Sequence, residues 1–114
     1  MADDDSKQAL YDAVTALRSA EQLLLDASRS MTDPAQLIQL NLEYTHLDSY
    51  LSQILHTLAI TDETDFARSS AALKTQSTTL AADIQQIQKV IQDAATADKV
   101  IGLITQATAA VAKL

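Results

Sequence analysis

Between Leu37 and Leu58 the chain places apolar side chains at Leu37, Leu40, Tyr44, Leu47, Leu51, Ile54 and Leu58. The steps alternate 3 and 4 without a miss. An α-helix puts such positions on one side, and the spacing matches the a/d seam of a coiled coil. A seam this regular needs a partner helix. The other segments are therefore read for what could cover it.

The first segment repeats the pattern with smaller residues. Leu10, Ala13, Leu17, Ala20, Leu24, Ala27 and Met31 form a stripe that Val14 and Leu23 widen. Asp3, Asp4, Asp5 and Ser6 precede it and suit the positive end of a helix dipole. The pattern predicts a helix over about residues 4–31. Thr32-Asp33-Pro34 is the strongest punctuation in the chain, with Asp33 a natural N-cap and Pro34 fitting the first helical position. A second helix over about 34–60 should fold back beside the first as an antiparallel hairpin. Thr61-Asp62-Glu63-Thr64-Asp65 is a second cluster of capping residues. It opens a third helix, about 62–95, whose stripe is Phe66, Leu73, Leu80, Ile84, Ile87 and Ile91. That stripe is weak before Leu80, where Ser69, Ser70, Ser77, Thr78 and Thr79 gather.

A new stripe begins after Asp93 with Ala97, Ile101, Ile104, Thr108 and Val111, broadened by Val100, Leu103 and Leu114. Either the third helix continues to the end, or a fourth covers about 96–114. Continuation, kinked between Thr96 and Gly102, is favoured, because the joint holds neither Gly nor Pro. Gly102 lies inside the new stripe and reads as a close approach by a neighbour. The expected fold is all-α: an antiparallel bundle of three long helices in one domain over residues 1–114, the C-terminal segment extending the third or forming a fourth.

Composition agrees. The 114 residues hold one Gly and one Pro, too few for the turns of a sandwich or barrel. The net charge of −7 disfavours nucleic acid and anionic membrane surfaces as partners. No Cys is present, so disulfide, thiolate and Cys–zinc chemistry are excluded. The Met-Ala-Asp-Asp-Asp start is unlike an export signal, and no apolar run reaches the ~18 residues of a membrane span. A cytoplasmic location is the expectation. Residues 32–60 contain three acids and no Lys or Arg. Residues 96–114 are the one segment without a net negative charge.

Candidate chemistry is sparse. Glu43-Tyr-Thr-His46 has the Glu-x-x-His spacing of di-iron helical bundles. The count argues against such a site: the chain has three Glu in all, and the residue three before His56 is Gln53. His46 and His56 are ten residues apart, which is not the i, i+4 spacing of helical zinc ligands. Tyr44 lies on the seam and Tyr50 flanks it, a reading favoured over a recognition patch with Tyr11. Gln85, Gln86, Gln88 and Gln92 read as a solvated face. One glycine excludes phosphate loops, dinucleotide fingerprints and nucleophile elbows.

No catalytic, cofactor-binding or metal site is therefore expected, and no cofactor. The function expected is non-catalytic protein binding, as an adaptor, chaperone-like binder or inhibitor working through a helical face, with homo-oligomerisation. The partner-binding residues expected are Val100, Ile101, Leu103, Ile104, Val111 and Leu114. The alternative is a membrane-active protein inserting residues 100–114.

Overall fold

The computed structural model describes residues 3–114; Met1 and Ala2, part of the export-signal reading, lie outside the described residues. The described residues form helices and connections, without a strand. The helices are α1 Asp3–Ser28, α2 Pro34–Leu58, α3 Glu63–Gln76, α4 Thr79–Val90 and α5 Ala94–Ala112. They pack lengthwise into a body 49 × 21 × 20 Å across.

The predicted punctuation forms as read. The Asp33 carboxylate accepts the Ala35 N–H at 3.0 Å, with Pro34 in the first helical position. The Asp62 carboxylate accepts the Asp65 N–H at 2.9 Å. The first two helices end two or three residues early, at Ser28 and Leu58 rather than near 31 and 60. Met31, Leu58 and Ile60 still pack against the core from beyond or at those ends.

The α2 seam is core from Leu40 onward, with Leu37 at its start only half-buried. Leu40, Leu47, Leu51 and Ile54 are buried, while Tyr44 and Leu58 pack at its margin. Glu21 faces Tyr44 and Asp48, and Leu24 and Leu25 share a crevice with Leu40 and Asn41, so α1 and α2 run antiparallel. Thr57 meets Ser69, Tyr50 meets Leu73 and His46 meets Asp83, so α3 and α4 return antiparallel to α2. At the far end Phe66 is buried, with Lys7 Nζ 5.7 Å from its ring centroid.

Two expectations fail. The third helix is not continuous over 62–95. It is interrupted at Ser77–Thr78, where three successive hydroxyls bond back to carbonyls three residues earlier: Ser77 to Lys74, Thr78 to Thr75 and Thr79 to Gln76, at 2.7 to 2.9 Å. Hydroxyls that compete for helical carbonyls bend or break helices. The favoured continuation into the tail fails as well. Ile91 and Asp93 are both extended, and α5 starts at Ala94 and folds back. The Asp93 carboxylate accepts the Ala95 N–H at 3.3 Å and the Thr96 hydroxyl at 2.7 Å. An aspartate cap thus does at this joint what glycine was expected to do.

The reversal seats α5 along α1, its most extensive neighbour. Both contribute small buried residues there, Ala13, Ala16 and Ala20 from α1 and Ala97, Ala107 and Ala110 from α5. Between them Val100, Ile104 and Val111 lose all contact with water. Gly102 faces open space instead: nothing lies within 4 Å of where a Cβ would sit, so it marks no close approach.

Candidate functional site

The residues expected to bind a partner lie in the core or against it. Val100, Ile104 and Val111 are fully buried, and Ile101, Leu103 and Leu114 are half-buried against the same core. A partner or a bilayer would reach the first three only by pulling α5 off α1. Among the described residues no helix is long and apolar enough to cross a membrane.

The large apolar side chains that do face water are Tyr11, Leu25, Ile38, Leu42 and Leu55. Ile38 is 64% exposed and Leu42 48%, one turn apart on the side of α2 that faces away from the core. Leu25 reaches the same end of the hairpin, since it lines a crevice with Asn41, the neighbour of Leu42. The rest of this outer face is Thr45, Ser49, Ser52 and His56. Asp48 is the one acidic residue among the exposed positions of α2, which has no Lys or Arg. Exposed α1, by contrast, carries Asp4, Asp5, Asp12, Arg18 and Asp26.

The interior holds three acids at seam positions. Glu21 lies between Leu17 and Leu24, Glu43 between Leu40 and Leu47, and Asp83 between Leu80 and Ile87; all three are buried. A carboxylate out of water is costly unless it is paired or protonated. Burial, and then the facing Asp48 carboxylate, push Glu21 from 4.5 to about 7. Burial, and then the facing Asp83, push Glu43 to about 7 as well.

No protein family, curated protein or solved structure matches the chain. What these groups can do follows from their own geometry.

The α2–α4 cluster is the richer of the two. Glu43 and His46, one turn apart on α2, meet Asp83 of α4. His46 Nδ1 stands 3.0 Å from Asp83 Oδ1, and this contact lifts the imidazole above its ordinary value. Gln39 Nε2 donates to Glu43 Oε1 at 2.8 Å. Glu43 Oε2 is buried with no hydrogen-bond partner. One donor atom from each of Glu43, His46 and Asp83 lies within 4.8 Å of the others. His46 and Asp83 line an open groove of about 440 Å³ with Ser49, Tyr50, Gln53, Gln76, Thr79, Leu80 and Ala82.

Sequence spacing brought Glu43 and His46 together but missed Asp83, which lies 37 residues beyond His46. A signal was present, because an acid three residues after Leu80 and four before Ile87 falls inside an apolar stripe. Tyr50 is also settled by its surroundings: its hydroxyl donates to the Leu73 carbonyl at 2.8 Å, and burial pushes it up to about 12. It joins α2 to α3 and presents no recognition surface. His56 lines a separate shallow groove beside Thr57 and Ser69.

Proposed function

We propose that the protein is a non-catalytic interaction module whose outer α2 face docks against another protein, with a second copy of this chain as its occupant. The observation that carries this is the outer face of α2, which exposes Ile38 and Leu42 toward its N-terminal end and has Asp48 as its one exposed charged residue, on a chain of net charge −7. Solvated helix faces normally carry charge, whereas the centres of interfaces are depleted of it. Two copies of −7 repel at most approaches. The outer face of α2 would bring few of those charges together, since Asp48 is the one exposed acid of that helix.

Expressed as residues 1–114 and run on gel filtration with light scattering, the protein should be dimeric at micromolar concentration. Ile38→Lys combined with Leu42→Lys should give a monomer of unchanged helix content, because both side chains already face water. A chain that is monomeric throughout and captures nothing from a lysate would overturn the reading. A monomer that captures a lysate protein, and loses it in the double variant, would keep the face and replace the occupant.

A further inference from the structure

We propose that Glu43, His46 and Asp83 form a binding site for one divalent transition-metal ion, Zn²⁺ being the best match. The site lies where α2 meets α4, beside the outer α2 face proposed for docking, and Ser49 borders both.

Three observations converge on it. The first is distance. Two ligand atoms each ~2.1 Å from one ion stand ~3 Å apart at a right angle and ~3.4 Å apart at the tetrahedral angle. His46 Nδ1 and Asp83 Oδ1 are already 3.0 Å apart, and all three donor atoms lie within 4.8 Å of one another. A modest adjustment of the Glu43 side chain would bring all three donors to one ion.

The second is an unmet lone pair. Glu43 is 2% exposed, and its carboxyl group faces the buried Asp83. Two ionised carboxylates offer each other no hydrogen, and Glu43 Oε2 has no donor from any other group. A shared proton or a cation between them would satisfy that atom. A divalent ion offsets both charges, a shared proton only one.

The third is support and access. Gln39 holds the other Glu43 oxygen at 2.8 Å, the outer hydrogen bond that typically orients a ligating carboxylate. The imidazole side chain is 58% exposed and sits at the mouth of the groove, giving an ion a way in and leaving water to complete its coordination. Glu43 and His46 stay in register because i and i+3 share a helix face, and Tyr50 holds α2 against α3 nearby. One imidazole nitrogen with two carboxylates suits Zn²⁺ or a neighbouring transition ion over Ca²⁺ or Mg²⁺, which prefer all-oxygen sets. The second acid pair, Glu21 with Asp48, lacks a nitrogen donor; among the described residues no other three such donors come this close.

The test uses the full chain stripped with a chelator and titrated calorimetrically with Zn²⁺, then with Co²⁺ while its visible spectrum is followed. Saturation at one ion per chain is expected, with Co²⁺ bands of a low-symmetry site and a Tm that rises with ion concentration. Glu43→Gln keeps the shape of the side chain, and His46→Ala changes a surface group. Each should weaken binding at least about tenfold with helix content unchanged. His56→Ala, on the same helix outside the cluster, should bind as the parent does. Absence of saturable binding, affinity unchanged from the parent in Glu43→Gln or in His46→Ala, loss in His56→Ala, or Mg²⁺ binding as tight as Zn²⁺ would each overturn the assignment.

Discussion

Glu21 shows how a single residue departs from its type. It occupies a seam position between Leu17 and Leu24 and is buried there with Asp48 and Tyr44 around it and Arg18 nearby. Its folded-state value, about 7 against 4.5 for the free side chain, means the folded chain holds a proton that the unfolded chain gives up. Stability from this group is full below pH 4.5 and is lost as pH rises to about 7, opposite to the usual behaviour of a paired carboxylate. Glu21→Gln mimics the protonated form. Its denaturant midpoint should exceed the parent's above pH 7 and approach it near pH 4.5, and parallel curves would sink the account. Gly102 offers a simpler case. It is helical, exposed and faces open space, so Gly102→Ala should stabilise by about 0.5–1 kcal/mol in chemical denaturation. A loss would mean that a neighbour approaches there after all.

The helices differ in how legible their ends are. Asp33-Pro34 and Asp62 act as caps where the residue types alone predict it. The joints at Ser77–Thr78 and Ile91–Asp93 contain neither Gly nor Pro. The first interrupts a helix through side-chain competition for carbonyls, and the second reverses the chain through extended backbone and an aspartate cap. The Thr96 hydroxyl, and then the Ala95 N–H, hold the Asp93 carboxyl below its ordinary range. Asp93→Ala should therefore lower Tm at neutral pH, while Asp93→Asn should recover much of it, since Asn caps nearly as well. Equal losses in the two variants would point to charge rather than capping.

For the molecule as a whole, α5 decides what kind of surface the chain presents. Seated on α1, it removes Val100, Ile104 and Val111 from water and leaves α2 with the exposed apolar pair. Had the third helix run straight on, the tail would have been the sticky element. Truncation after Ala95 should therefore uncover the α1 face lined by Ala13, Leu17 and Ala20 and abolish cooperative thermal unfolding followed by circular dichroism. A truncated chain that melts as sharply as the parent would show that α5 is peripheral.

Helix type, the α2 seam and the two Asp-capped starts were determined by the sequence, because periodicity and capping act over a few residues along one chain. The direction of α5, the company Asp83 keeps and the side of α2 left to solvent were decided only by the tertiary structure. Each depends on which helix lies against which, a choice made by packing between segments that no single segment contains.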